Sequence, residues 1–164
     1  YAQRESPQTA TLLEKLSSIM RYFVDEAPKD KISLQIEMQF ISNYIDLEKT
    51  RMRYPLRVII DEPTYTDSVQ LSPMLIIPFV ENVFKHGIDK RREDNFIFIQ
   101  ITISDQQLKV TVCNRLLAVE DQGKKGTGLT NLRNRLQLLY GEKYSLVTTI
   151  EEGMYYTSVL SLPL

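Results

Sequence analysis

Apolar residues recur at helical spacing in two segments near the start of the chain. Over residues 9–24, and again from Ser33 to about Arg51, intervals of three and four residues between apolar side chains predict amphipathic helices. The polar segment 27–31 separates the two helices. In the second helix the residues predicted to face inward are Ile36, Phe40, Ile41, Tyr44, Ile45 and Leu47, and those predicted to face outward are Glu37, Asn43, Asp46 and Lys49.

A third helix is predicted over residues 71–88. It is apolar around most of its circumference, so it must be largely buried. Ser72 followed by Pro73 predicts its start, because the serine oxygen can accept an unpaired amide and proline is tolerated at the first helical position. Gly87 predicts its end.

The last turns of this third helix are polar. Glu81, Asn82, Lys85 and His86 lie within a turn and a half, and the last three project from one face. A buried helix needs polar partners for such a cluster, and a ligand is one candidate. The other candidate is a helix end that reaches solvent, since the negative end of the helix dipole favours Lys and His near a C-terminus. The pattern alone leaves both interpretations open.

The rest of the chain predicts a sheet and one further helix. The predicted strands are 56–61, 96–104, 108–113, 144–150 and 154–162, of which the last four form two hairpins. The fourth helix, residues 129–140, has Leu129, Leu132, Leu136 and Leu139 on one face. Because the strands alternate apolar with polar residues, helices should cover a single face of the sheet. The predicted fold is an α/β two-layer sandwich with about five, mostly antiparallel strands.

Composition narrows the function classes. The 164 residues carry a formal net charge of −1 with both signs interspersed, so a nucleic-acid partner is not expected. The single cysteine, Cys113, excludes an intrachain disulfide and is expected to be a small buried apolar residue in a reducing compartment. No run of eighteen apolar residues occurs. Because the chain opens at Tyr1 without a methionine, we expect a piece of a longer protein.

The polar end of the third helix resembles a known motif. Val-Glu-Asn-Val-Phe-Lys-His-Gly, residues 80–87, is similar to the N box of LytS-type sensor histidine kinases, members of the Bergerat-fold (GHKL) superfamily of ATP-binding domains. The resemblance implies that Asn82 coordinates the Mg²⁺ that bridges the ATP phosphates, and that Lys85 and His86 lie beside those phosphates. It leaves Glu81 as either a base that polarises the acceptor or a brace for the loop.

A glycine motif precedes the fourth helix. Two glycines at a helix start let the backbone approach an anion, although a flexible loop would look the same. Here the motif continues as Gly-x-Gly-Leu-x-Asn-x-x-x-Arg-Leu, residues 126–136, which resembles the G2 box of the same family. It matches neither a Walker P-loop nor a Rossmann turn. The resemblance implies an ATP contact for Gly126, Thr127, Gly128, Leu129 and Asn131.

The adenine-binding box departs from the family. Where Asp-x-Gly-x-Gly is usual after a strand, this chain has Asn114-Arg115-Leu116-Leu117 without glycines. An asparagine amide can accept from the adenine 6-amino group and donate to a ring nitrogen, so Asn114 is the adenine candidate; alternatively it only caps a turn. The lid over the nucleotide would then be about residues 115–125, ending in Lys124 and Lys125.

Two further stretches resemble the same kinases. Leu-Ser-x-x-x-Arg-Tyr, residues 16–22, is similar to the end of the dimerisation stalk, and Glu-x-x-x-Ile-x-x-Tyr-Ile-x-Leu-Glu-x-x-Arg, residues 37–51, to the helix that follows. The resemblance implies that residues 1–30 end the helical stalk and that residues 31–164 form the ATP-binding catalytic domain. It implies a homodimer through the stalk, in a parent protein anchored in the bacterial inner membrane with this part in the cytoplasm.

The resemblance also implies the reaction. The chain would transfer the ATP γ-phosphate to an upstream histidine, and from there to a response regulator of the LytTR type. His86, the single histidine, would line the pocket and would not be the acceptor. Two alternatives stay open: a GHKL-type ATPase without a histidine acceptor, and a non-catalytic nucleotide- or partner-binding module.

Overall fold

The computed structural model describes residues 7–116 and 127–164. Its helices are α1 (Pro7–Arg21), α2 (Leu34–Lys49), α3 (Ile77–His86) and α4 (Thr127–Tyr140). Its strands are β1 (Ile32–Ser33), β2 (Arg57–Asp61), β3 (Gln70–Leu71), β4 (Phe96–Ser104), β5 (Gln107–Arg115), β6 (Ser145–Glu151) and β7 (Tyr155–Pro163). A π-helical turn, Tyr22–Glu26, follows α1, and a 3-10 turn, Gly141–Lys143, follows α4.

Five strands form the main sheet in the order β2-β4-β5-β7-β6. Strands β2 and β4 pair in parallel, and the other neighbours in this sheet pair antiparallel. Both predicted hairpins are confirmed. Asp105 and Gln106, which join β4 to β5, have φ of 51° and 59°, and so match the right-handed strand twist in a two-residue turn. Strands β1 and β3 form a separate two-stranded ribbon.

The core lies between one face of this sheet and the helices. Alternate residues of β4 and β5 point into it, which is the period of a strand covered on one side. Helices α2, α3 and α4 supply the other layer of the same core. The predicted two-layer α/β sandwich is therefore confirmed. Central members of the core are Ile41, Ile45, Val80, Val83, Ile97, Ile99, Val110, Val112, Leu132, Leu136 and Leu160.

Helices α1 and α2 pack side by side, and α1 passes into the π-helical turn at Tyr22. Lys15 Nζ donates to Asp46 Oδ2 at 2.6 Å across the pair. The predicted start of α2 is confirmed, since Ser33 caps it by accepting from the Ile36 amide at 3.3 Å. No helix among the residues that the structure describes is long and apolar enough to cross a membrane.

The predicted outward face of α2 is wrong at two positions. Glu37 has no exposed surface and Asn43 is only 7% exposed. Both side chains can be buried because hydrogen bonds replace their contacts with water. Gln39 donates to the Asn43 side chain at 3.5 Å, and Glu37 accepts from two other segments of the chain.

The predicted start of the third helix is also wrong, since α3 begins at Ile77 and not near Ser72. Residues 72–76 form a turn in which Met74 has φ of 58°, a conformation that a helix cannot contain. Pro78, in the first turn of α3, replaces Pro73 as the helix-starting proline. The predicted end is confirmed, because the Gly87 amide donates to Val83 O at 2.7 Å.

In α4 the predicted apolar face is confirmed at Leu132 and Leu136, which are buried, and at half-buried Leu129. It is wrong at Leu139, which is 47% exposed near the end of the helix. The predicted burial of Cys113 is confirmed only in part. This free thiol is half-buried, on the sheet face that lies opposite the core side chain of Asn114.

Candidate functional site

The polar end of α3 is partly open to solvent. Asn82 is half-buried, whereas Lys85 and His86 are exposed. Within the described residues no group forms a hydrogen bond with the Asn82 or His86 side chain, whereas Lys85 Nζ donates to Glu81 Oε2 at 3.3 Å. Among the described residues, the Asn82 amide oxygen therefore has no hydrogen-bond donor.

Glu81 faces α2 as well as Lys85. Its neighbour Phe84 packs edge-on against Tyr44, with ring centroids 5.8 Å apart. Burial, followed by the charges of Glu48 and Glu81, raises the pKa of Tyr44 to about 12. Glu81 is thus close enough to α2 for its charge to act on the Tyr44 phenol, in addition to its salt bridge with Lys85.

Asn114 lies directly beneath the end of α3. Asn114 is 3% exposed and lies on the core face of β5. Its Nδ2 donates to Arg115 O at 2.7 Å. A Cβ placed on Gly87 would lie 2.0 Å from Asn114 Nδ2 and 2.7 Å from its Cγ. Glycine is therefore required at 87 because the asparagine occupies the space of a side chain. This contact joins the N-box candidate to the adenine candidate.

A loop of paired charges borders this contact. Asn95, 2% exposed, holds residues 89–95 together: its Nδ2 donates to Asp89 O at 2.7 Å and to Arg92 O at 2.9 Å. Asp94 accepts from Arg92 and from Arg115, which follows Asn114 in β5. The hydrogen bond from Arg92, with the nearby charge of Arg115, lowers the pKa of Asp94 to about 2. Arg91 and Arg92 of this loop are thus paired with Asp89 and Asp94.

The start of α4 holds the described part of the glycine motif. Helix α4 begins at Thr127 and packs against α3. Gly128 and Asn131 are exposed and Leu129 is half-buried. No described atom lies within 4 Å of a Cβ built on Gly128, so the space beside it is open. Gly126, Lys124, Lys125 and the rest of the predicted lid from residue 117 lie outside the described residues.

Among the described residues, the most buried charged side chain is that of Glu37, whose burial the sequence pattern did not predict. Glu37 accepts from Tyr22 Oη at 2.5 Å, from the Met74 amide at 2.9 Å and from the Ile76 amide at 3.2 Å. A signal was present, because Glu37 lies three residues after Leu34 and four before Ile41, within the apolar stripe of α2. An acid in that stripe predicts a buried partner.

The donor set at the end of α3 fits one kind of metal ion. The described residues contain no cluster of three or more His, Cys, Asp or Glu side chains that could hold an ion. Mg²⁺ keeps several of its waters and takes only one or two protein ligands beside substrate phosphates, so the Asn82 amide oxygen is a candidate ligand for it.

Comparison of the sequence with known proteins finds similarity to sensor histidine kinases. The family model "Histidine kinase" matches residues 1–56. Sensor protein LytS of Streptococcus mutans is 31% identical over 148 residues, which cover 82% of this chain and 25% of that protein. Sensor histidine kinase BtsS of Escherichia coli is 26% identical over 162 residues, which cover 98% of this chain and 29% of that protein. The chain thus spans less than a third of the length of either relative.

Solved structures agree in fold. The catalytic domain of histidine kinase ThkA superposes with a TM-score of 0.61 at 14% identity, over 81% of this chain and 94% of that one. ShkA in complex with AMPPNP superposes with a TM-score of 0.59 at 12% identity, over 95% of this chain and 36% of that one. ThkA in complex with response regulator protein TrrA superposes with a TM-score of 0.54 at 13% identity, over 99% of this chain and 53% of that one. By sequence the chain is a relative of the LytS-type sensor histidine kinases, and its fold is that of a histidine kinase catalytic domain.

Proposed function

We propose that the chain is the ATP-binding catalytic part of a bacterial two-component sensor histidine kinase. The observation that carries the proposal is the packing of buried Asn114 against Gly87, the residue that ends the polar helix α3. Gly87 follows directly on Lys85 and His86 at the end of α3, the helix that carries Asn82, and α4 packs on the same helix. The LytS and BtsS relatives and the complex of ShkA with AMPPNP support a nucleotide as the ligand.

Each candidate residue has a role in this proposal. Asn82 would hold Mg²⁺, which when bound neutralises charge on the ATP phosphates. Lys85 and His86 are exposed beside it and would contact the phosphates. The amides at the start of α4, from Thr127 to Leu129, offer unpaired donors and the positive end of a helix dipole, and Gly126 and Asn131 would complete the cradle.

Asn114 would read the base. Its oxygen can accept from the adenine 6-amino group, while its Nδ2 already donates to Arg115 O at 2.7 Å and is thereby oriented. Glu81 is proposed as a brace and not as a base, because it pairs with Lys85 and borders Tyr44. Phosphoryl transfer needs chiefly positioning and charge neutralisation, which these residues would supply.

The parent protein would be a homodimer. Exposed apolar side chains on α1 and its π-helical turn support pairing with a second copy through stalk helices: Leu13, Leu16, Met20, Phe23 and Val24. In this proposal residues 1–30 end the stalk and residues 31–164 form the catalytic domain. The phosphoryl group would pass to an upstream histidine and then to a response regulator of the LytTR type. The complex of ThkA with TrrA supports a response-regulator partner, and the LytS and BtsS relatives support a parent anchored in the inner membrane with this part in the cytoplasm.

Calorimetric titration with ATP, with and without Mg²⁺, tests the nucleotide site. We expect saturable binding that Mg²⁺ strengthens, and we expect Asn82→Ala to remove most of the Mg²⁺-dependent part without unfolding the protein, because Asn82 is only half-buried. Equal Mg-ATP affinity in the variant would overturn the assignment of Asn82 as the metal-bearing residue.

Incubation with γ-labelled ATP tests the reaction class. We expect no acid-labile phosphate on this chain, and labelling of an added stalk fragment that carries the upstream histidine. The transfer should be slow, because the tether that raises the effective concentration is cut. Steady ATP hydrolysis without a stalk would favour the GHKL-type ATPase, and binding without transfer to any stalk would favour the non-catalytic module.

A further inference from the structure

Glu37 joins three segments that are distant in sequence. Its Oε2 accepts from Tyr22 Oη at 2.5 Å and from the Met74 amide at 2.9 Å, and its Oε1 accepts from the Ile76 amide at 3.2 Å. The side chain has no exposed surface. A buried carboxylate with three donors is oriented on both oxygens, so the segments that supply those donors are held at set distances from α2.

The turn before α3 depends on this carboxylate. Met74 has φ of 58°, which is disfavoured for a residue with a Cβ and persists only where the surroundings hold it. The amides of Met74 and Ile76 both turn toward Glu37. Since α3 begins at Ile77 and has no capping side chain of its own, Glu37 takes the place of a local cap. Asn82 lies in the second turn of that helix.

The end of α1 reaches the same turn. Tyr22 belongs to the π-helical turn that follows α1, and its hydroxyl also accepts from the Met74 amide at 3.0 Å. The Tyr22 ring is stacked on Phe40 of α2 with centroids 4.0 Å apart and planes 9° from parallel. Arg135 of α4 approaches from the other side, with Nη1 3.5 Å from Met74 O. The stalk end and both helices of the candidate site therefore meet at Met74.

We propose that Tyr22 and Glu37 are positioning residues that set the place of Asn82, so that displacement of the end of α1 changes the Mg²⁺-dependent affinity for ATP. This inference rests on the proposed function of Asn82. The base contact lies on another element, because Asn114 belongs to β5 and its Nδ2 is anchored on Arg115 O. Substitutions at Tyr22 and Glu37 should therefore weaken the metal-dependent part of ATP binding and leave contact with the base unchanged.

Calorimetric titration of ATP into the chain, with and without Mg²⁺, tests the inference on Tyr22→Phe, Glu37→Gln and the double variant. We expect each single variant to weaken Mg-ATP binding about tenfold and the double variant to be no weaker than the worse single, as for residues that act as one unit. Affinity without Mg²⁺ should stay within about twofold. Matched controls are Glu48→Gln on the same helix and Tyr65→Phe, which is 56% exposed; both should bind as the wild type does.

The outcomes separate the inference from the proposed function. Absence of ATP binding to the wild type would refute the function. If the wild type binds and Asn82→Ala loses the Mg²⁺-dependent part, wild-type affinity in both Tyr22→Phe and Glu37→Gln overturns the inference. Equal losses with and without Mg²⁺ also overturn it, since they indicate a structural role only. Should Glu37→Gln fail to fold, Tyr22→Phe decides alone, because it removes one hydroxyl and keeps the ring stacked on Phe40.

A second readout does not depend on nucleotide. Hydrogen exchange at the Met74 amide should be faster in Tyr22→Phe than in the wild type, because one of the two acceptors of that amide is removed. Unchanged exchange at Met74 would contradict the role given to Tyr22.

Discussion

The contact between Gly87 and Asn114 gives the sharpest structural prediction. In Gly87→Ala the new Cβ would lie 2.0 Å from Asn114 Nδ2, whereas ordinary contact begins at 3.4 Å, so the amide must retreat by about 1.4 Å, the difference between these two distances. The backbone itself is no obstacle, since φ at Gly87 is −112°. The Cβ would also lie 3.1 Å from Val83 O, a tight contact, so most of the strain falls on the asparagine and a smaller part on the helix backbone.

The expected loss of stability follows from the hydrogen bond that this shift of the Asn114 amide breaks. The hydrogen bond from Asn114 Nδ2 to Arg115 O, 2.7 Å long, cannot survive it, and leaving the buried amide unpaired costs about 1–3 kcal/mol. Overpacking adds about 1–3 kcal/mol. We expect Gly87→Ala to be destabilised by about 2–6 kcal/mol and to bind ATP at least about tenfold more weakly, because Asn114 no longer meets the base.

Urea denaturation measures the first effect and calorimetry the second. The matched control for stability is Gly128→Ala, since a Cβ there meets no described atom and alanine favours a helix by up to about 1 kcal/mol. Its stability should be equal to or above that of the wild type. A Gly87→Ala protein within about 0.5 kcal/mol of the wild type would refute the steric argument.

Two further predictions concern the border of the site. Asn114 should discriminate adenine from guanine, which presents an acceptor where adenine presents its amine. ATP should therefore outcompete GTP by about ten- to a hundredfold, and Asn114→Leu should abolish this preference. Asp94 should titrate near pH 2 by NMR, because Arg92 donates to it. Its stabilising effect is complete above the ordinary carboxyl pKa of about 3.8 and is lost as the pH falls through 2, and Arg92→Gln should move the titration back toward 3.8.

Local patterns in the sequence predicted most of the fold. The hairpins followed from alternation and turn residues, and the start of α2 from Ser33, because these features depend on neighbours along the chain. The end of α3 followed from Gly87 for the same reason, although the close approach of Asn114, which makes glycine necessary, is visible only in three dimensions.

Contacts that are distant in sequence account for the errors. Ser72 and Pro73 have the signature of a helix start, but Glu37 takes the Met74 and Ile76 amides and the helix begins later. The partners that bury Glu37 lie 15, 37 and 39 residues away along the chain, beyond the reach of any periodicity. The roles of the site residues rest on motif resemblance, and they stay predictions until ligand binding is measured.

The central claim is that nucleotide binds where the end of α3, the end of β5 and the start of α4 meet. An NMR titration of the chain with ATP and Mg²⁺ tests this most directly. The account predicts that the largest amide shifts fall at Asn82, Gly87, Asn114 and Gly128, with little change at the β6–β7 hairpin around Gly153. Shifts centred on the contact between α1 and α2, or no shifts at saturating ATP, would contradict it.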